Sequence, residues 1–217
     1  MRAPRFSKIV FAFLLILPFL ALPAHATEQT QRALSFISKL GNSAIGILAD
    51  KSIPQEEASR RFRAMLHDDF DLNLLGKFAL GPTHWRALNP QQKQEYMKLF
   101  ERLVVDIYSD RFKTYNGETF KAGTAHAESA TDSYVTSFIV SPGGGQPIQV
   151  DWRVRDYGDR RQVIDVIVEG VSMSITKRSE FASAIQQQGG DYSAFLELLR
   201  AKVNSGDTTV QDGDSGK

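Results

Sequence analysis

From Thr30 to Ala49, apolar residues fall at three- and four-residue steps: Ala33, Leu34, Ile37, Leu40, Ala44, Ile45 and Leu48. That period predicts an amphipathic helix. Ser52-Ile53-Pro54 opens a second helix, with Phe62, Met65 and Leu66 on one face and an end near His67. The segment from Asp68 to Gly81 is dense in large apolar residues and punctuated by Gly76 and Gly81. Asn89-Pro90 starts the longest helix, whose stripe runs through Tyr96, Leu99, Phe100, Leu103, Val104, Ile107, Tyr108 and Phe112. After Asn116-Gly117 the period falls to two. Strands are expected at Thr119–His126, Ser133–Ser141, Ile148–Tyr157 and Gln162–Glu169, and helices at Ser172 to about Gln188 and at Tyr192–Val203. Helices before and after a four-stranded meander make an α+β fold with an antiparallel sheet.

The alternation also constrains the register. In Ile148–Tyr157 the even positions Ile148, Val150, Trp152 and Val154 are apolar, and the odd positions Gln149, Asp151, Arg153 and Arg155 are polar. A two-residue Gly158-Asp159 turn would set Trp152 opposite Asp165 and mix the faces. A three-residue turn, Gly158-Asp159-Arg160, sets Val154 opposite Ile164, Trp152 opposite Val166 and Val150 opposite Val168. The second register is preferred; it also sets Arg153 opposite Asp165 as an ion pair on the polar face. The apolar face is expected to continue through Tyr134, Phe138 and Val140, with the stripes Leu99–Phe112 and Phe70–Leu80 covering it. Periodicity alone favours a solid core there, since apolar stripes are mainly packing. It does not exclude a hollow one.

Composition changes the picture at the ends of the chain. Arg2, Arg5 and Lys8 precede an apolar run of about 15 residues, Ile9 to Pro23, and then Ala24-His25-Ala26. Basic, apolar and A-x-A in that order describe a secretory signal peptide over residues 1–26. A membrane anchor would need about 20 apolar residues, and Pro18 interrupts this run. Export is therefore expected, with one domain over residues 27–203. Residues 204–217 have almost nothing to bury and are expected to be disordered. Without the three basic residues of the leader, the rest carries two more acids than bases, which is no footprint for nucleic acid. The chain has no cysteine, so thiol chemistry, thiolate metal sites and disulfides are excluded.

Catalytic motifs are equally scarce. No G-x-S-x-G elbow occurs. Pro142–Pro147, PGGGQP, lies between strands and opens no helix, so it reads as a hairpin tip and not a phosphate cradle. Asp68, Asp69 and Asp71 lack the glycine and terminal glutamate of a calcium loop and suit a helix start. His67, His84 and His126 are too scattered for metal ligation. Asp165 and Glu169 remain as the one carboxylate pair that an enzyme could use as a base.

The segment VIDVIVEGVSM followed by KRSEF, from Val163 to Phe181, resembles the signature of the MlaC or toluene-tolerance family. Upstream, FDLNLLGKFALGPTHWRALNPQQKQEYMKLFERLVVDIYSDRF is similar to that family's Gly-x-x-W motif, Gln-rich helix start and long Phe/Leu helix. The resemblance covers roughly Ala33 to Val203. One departure is Thr176-Lys177-Arg178, where many members have Asn-Tyr-Arg, so a tyrosine contact there does not carry over.

The resemblance implies a highly curved antiparallel sheet packed against several helices around an apolar cavity. It implies a periplasmic carrier of phospholipid, with no cofactor beyond that cargo and no catalysis. The partners it implies are an inner-membrane ABC transporter complex and an outer-membrane lipoprotein complex. Another amphiphile, such as a hopanoid, is the alternative cargo. Strand and helix facing then nominate Phe78, Leu99, Leu103, Val104, Tyr108, Phe138, Val150, Trp152, Val166, Val168 and Met173 as lining, and Lys177 or Arg178 as a phosphate contact. The leader reading is checked by N-terminal sequencing of the exported protein, which is expected to begin at Thr27.

Overall fold

The computed structural model describes residues 24–109 and 115–205, without the side chains of residues 24–26, 108 and 109. Most of the expected leader, the expected tail from residue 206, the Tyr108 side chain and the expected end of the long helix lie outside the described residues.

Seven helices and five strands occur among the described residues. They are α1 (Ala24–Ala49), α2 (Gln55–Asp69), α3 (Leu72–Leu80), α4 (Pro82–Ala87), α5 (Pro90–Ser109), β1 (Thr119–Ala127), β2 (Asp132–Val140), β3 (Ile148–Asp156), β4 (Arg161–Val168), β5 (Val171–Ser172), α6 (Met173–Gln187) and α7 (Tyr192–Ser205). The strands form one open antiparallel sheet in the order β1-β2-β3-β4-β5. The fold is α+β, as the sequence predicts, with a fifth strand added.

Local chemistry explains the boundaries. Asn89 and Gln92 cap α5 reciprocally: the Gln92 N–H donates to Asn89 Oδ1 at 2.8 Å, and the Asn89 N–H donates to Gln92 Oε1 at 3.0 Å. Asp71 caps α3 by accepting the Leu74 N–H at 2.8 Å. The fifth strand exists because Glu169-Gly170 does not send the chain off the sheet. With φ of 49° and 81°, the two residues make a tight turn that folds Val171 back onto Val168. Both central residues of such a hairpin need positive φ, and glycine supplies the second without strain.

The β3–β4 hairpin does not use the three-residue turn preferred from the alternation, and a bulge restores the expected pairing farther along. The Tyr157 N–H donates to the Arg160 carbonyl, so the turn is the two-residue Gly158-Asp159. Beyond it Val154 faces Val163, not Ile164. An irregularity between Arg153 and Val154 then shifts the pairing by one, and Arg153–Asp165, Trp152–Val166 and Val150–Val168 follow as expected. Ile164 is the extra residue of this bulge.

The second correction concerns β2. Val135 pairs with Trp152 and Ser137 with Val150, whereas Phe138 pairs with Gln149 and Tyr134 with Arg153. Paired residues share a face. The inner face is thus Ser133, Val135, Ser137 and Ile139, and Tyr134, Phe138 and Val140 point the other way.

Three buried clusters hold the molecule. Ala33, Ile37 and Leu40 of α1 pack on Val135, Val154 and Val163 of the sheet. There Gly41 lets α1 lie on the Phe120 ring; an added Cβ would stand 2.4 Å from it. A larger cluster joins α3, α5, α6 and α7 around Tyr96, Phe100, Leu103, Phe181, Phe195 and Leu199. Burial pushes the Tyr96 phenol far above its ordinary pKa, and its O–H donates to the Gly76 carbonyl at 2.8 Å. Phe62, Leu66 and Val105 close α2 onto α5.

On the outer side of the sheet, Asp132 accepts from Arg155 at 2.7 and 2.8 Å and from Arg153 at 2.8 Å. Its side chain is 3% exposed, against 37% and 32% for the two arginines. The Arg155 hydrogen bond first, and the charge of both arginines with it, hold the Asp132 carboxyl below the usual carboxylate range. A depressed carboxylate pKa contributes stability above its unfolded value, near 4, which is lost as pH falls through the folded value. Asp132→Asn is expected to cost about 2 kcal/mol at pH 7, less than a fully buried pair because the arginines are partly solvated. Urea titrations of both proteins should show that gap closing as the pH is taken below about 4.

Candidate functional site

The site begins with one inward-facing tryptophan. Trp152 stands on the sheet face that looks toward the helices, beside Val135 and Val166. Two phenylalanines meet its indole edge to face: Phe70 at 6.5 Å between ring centroids and Phe120 at 6.4 Å. Its one polar atom is satisfied within the sheet. Nε1 donates to Ser137 Oγ at 2.8 Å, and Ser137 Oγ donates to the Val150 carbonyl at 3.0 Å. Ser137 is fully buried on the inner face, so this pairing turns a polar strand position into apolar wall.

Phe70 is fixed by backbone. It is the first of the two residues, Phe70 and Asp71, that link α2 to α3, and it forms a parallel bridge with Val163 at the edge of β4. The Asp71 N–H donates to the Val163 carbonyl at 3.0 Å. Gln162 Nε2 donates to the Asp68 and Phe70 carbonyls at 3.3 Å each. Tyr157 O–H donates to Asp71 Oδ2 at 2.5 Å.

Phe70, Phe120, Trp152, Val166, Met65 and Val104 share one property. They pack against the buried clusters yet remain only partly buried. Their uncovered apolar surface lies between the inner face of the sheet and helices α2 and α5 and is the candidate site, called the cleft below. Phe70 and Met65 belong to the surroundings of both the sheet cluster and the α2–α5 cluster, and Val104 borders the α2–α5 and the large helical clusters.

Of the residues nominated from sequence, Val150, Trp152, Val166 and Val168 share the inner face, with Val104 of α5 among the helices that face it. Leu99 and Leu103 are buried in the large helical cluster. Phe138 is on the outer face, because the alternation of β2 was assigned one residue out. Phe78 is 39% exposed at the surface of α3, under the Arg178 guanidinium, which lies 3.8 Å from its ring centre. Met173 is half-buried at the start of α6, and the Tyr108 side chain is outside the described residues. Phe70 and Phe120 were not nominated. The period-two signal of β1 carried Phe120, but Phe70 sits in a two-residue link between helices, where no period exists.

The charged nominees are engaged elsewhere. Lys177 pairs with Glu180 at 2.7 Å, and Arg178 Nε donates to the Phe78 carbonyl at 2.9 Å. The expected Arg153–Asp165 ion pair is replaced. The backbones are paired, but Arg153 reaches Asp132, while Asp165 accepts from Ser172 Oγ at 2.6 Å, the Val166 N–H at 2.9 Å and the Ser174 N–H at 3.3 Å. Ser172 in turn caps α6 through the Ile175 N–H at 3.2 Å. Asp165 thus joins β4 to the start of α6. Glu169 Oε1 accepts the Gln149 N–H at 2.5 Å and ties the β4–β5 turn to β3.

An open groove of about 450 Å³ is lined by the apolar residues Phe70, Leu72 and Met97 together with polar residues. Among the described residues no group of three or more His, Cys, Asp or Glu side chains is arranged to hold a metal ion. No described helix is long and apolar enough to cross a membrane.

The profile of the MlaC family, described as MlaC protein, matches residues 39–201. The chain belongs to the MlaC family. A curated relative, toluene tolerance protein ttg2D of Pseudomonas putida, is 25% identical over 149 residues, 65% of this chain and 69% of the relative. Among solved structures, a phospholipid-binding protein from Ralstonia solanacearum in complex with a phospholipid superposes with a TM-score of 0.68 at 19% identity, covering 81% of this chain and 98% of that one. At that identity the likeness establishes the fold.

Asp165→Ala is expected to lower stability by ~1–2 kcal/mol, the scale of a lost cap with its hydrogen bonds. Urea unfolding followed by circular dichroism measures it. A change below the error of that experiment would remove Asp165 from this structural role.

Proposed function

We propose that the protein is a soluble periplasmic lipid carrier, which holds the acyl chains of a phospholipid in the apolar cleft and exchanges them between membrane complexes without chemical change. The observation that carries this reading is the wall around Trp152: three aromatic rings and aliphatic neighbours, only partly buried, whose one indole N–H is already satisfied. Family membership supports it, as does the fold shared with a protein whose structure contains a phospholipid. Acyl chains are the ligand such a wall suits, since each CH₂ removed from water is worth about 0.8 kcal/mol. The carrier needs no nucleophile or metal. The two carboxylates that an enzyme would use, Asp165 and Glu169, are committed to a helix cap and a turn.

The partners belonging to this reading are those of the family resemblance, an inner-membrane ABC transporter complex and an outer-membrane lipoprotein complex. The leader would deliver the protein to the compartment between them.

Mass spectrometry of an organic extract of the purified protein is expected to show bound phospholipid. Val166→Asp, which sets a charge into the wall beside Trp152, is expected to abolish it while the protein stays folded. Protein that arrives lipid-free and also refuses added phospholipid would falsify the proposal; an extract dominated by a hopanoid would change the cargo and keep the carrier.

A further inference from the structure

Phe70 lines the open groove and also meets Trp152 of the apolar cleft. Charges on the groove's rim are unevenly used. Both acids are occupied. Asp71 spends one oxygen on the Leu74 N–H and the other on Tyr157, and Glu101 accepts from His67 at 2.9 Å. The cations are not. Lys98 and Arg160 have no carboxylate within ion-pair distance among the described residues, and Arg160 is held over the Tyr157 ring at 5.6 Å. The amides of Asn73 and Gln94, on the same rim, donate to no described residue. Unused donors of positive or amide type thus line a groove that shares Phe70 with the cleft.

We infer that this groove receives the phosphodiester of the bound lipid, with Lys98 and Arg160 as its charge partners. The inference rests on the carrier reading above and adds to it the place of the polar end. Two cations suit a phosphodiester, which carries one negative charge and two terminal oxygens: the guanidinium gives paired donors and the ammonium a point charge. The shared Phe70 fits this placement, because the ester-linked tails of a lipid leave its phosphate directly for apolar surroundings, and the groove adjoins the cleft at that ring.

The test uses the delipidated full-length exported protein and three probes: dioctanoyl phosphatidylglycerol, dioctanoylglycerol with the same tails and no phosphate, and glycerophosphoglycerol with the phosphodiester and no tails. Trp152 fluorescence reads cleft occupancy for the first two, and calorimetry reads all three. Lys98→Ala/Arg160→Ala is expected to weaken the phospholipid at least 10-fold and dioctanoylglycerol less than 3-fold. The charge-preserving pair Lys98→Arg/Arg160→Lys should stay within about 3-fold of wild type for both. Equal loss for both tailed probes, or no loss for either, overturns the assignment of the groove while leaving the carrier intact. Glycerophosphoglycerol binding as tightly as the phospholipid would make the groove an anion site unconnected to the tails, which also overturns it. A wild-type protein that binds neither tailed probe overturns the carrier reading itself.

Discussion

The irregular pairing at Ile164 is the constraint on which the inner face depends. A two-residue turn at Gly158-Asp159, continued in register, would put Trp152 opposite Asp165 and carry a carboxylate into the apolar face. One extra residue in β4 cancels the offset. Above the bulge, toward the turn, Val154 meets Val163; below it, Trp152 meets Val166 and Val150 meets Val168. Both stretches present their apolar residues inward, and Asp165 is left on the side where Ser172 and Ser174 use it. The same edge of β4, at Val163, holds the Phe70 link. A single register therefore positions Trp152, Val166 and Phe70 together.

The cleft is open because stability is supplied elsewhere. The large helical cluster of α3, α5, α6 and α7 is close-packed around Tyr96, and its buried residues all come from the helical side of the fold. The α1–sheet cluster closes the β1–β2 side, with Gly41 allowing contact on Phe120. The outer side of the sheet is secured by charge, through Asp132 and its two arginines. With these three supports, aromatic residues between them can stay partly bare. Leu103 and Trp152 look alike in a hydrophobicity profile, but the first serves the fold and the second the cleft.

That likeness sets the limit of what could be read from the chain. Helices with regular stripes and a meander with clear alternation were legible, and the β3–β4 pairing around Trp152 followed from polarity alone. The family signature around Val163–Phe181 was legible too. Three features were not. In β2, Asp132-Ser133-Tyr134-Val135-Thr136-Ser137-Phe138 has serines on its buried face and aromatics on the other, so polarity pointed the wrong way. The reason is tertiary: Ser137 serves the Trp152 indole and Ser133 accepts from Gln29 of α1. Glu169 has a positive φ that its side-chain type disfavours, so a hairpin there was invisible and a helix entry was the natural expectation. Phe70 owes its place to a bridge with a residue almost a hundred positions away.

A carrier must bind tails firmly enough to cross water and loosely enough to give them up. Every CH₂ hidden adds about 0.8 kcal/mol, so a cleft that enclosed two long chains completely would hold them beyond easy release. Partial cover is therefore suited to the task and is no defect of packing. Of the residues that line the cleft, only Phe70 sits on a link. That two-residue connection is held by Gln162, the Asp71 backbone and Tyr157, whereas Trp152 is rooted in the middle of the sheet. The two rings in contact are held differently: Phe70 by a few hydrogen bonds of its link at the edge of β4, Trp152 by the ladder from β2 to β4 and by Ser137. The wall of the cleft thus combines a ring anchored in the sheet with one anchored by a connection.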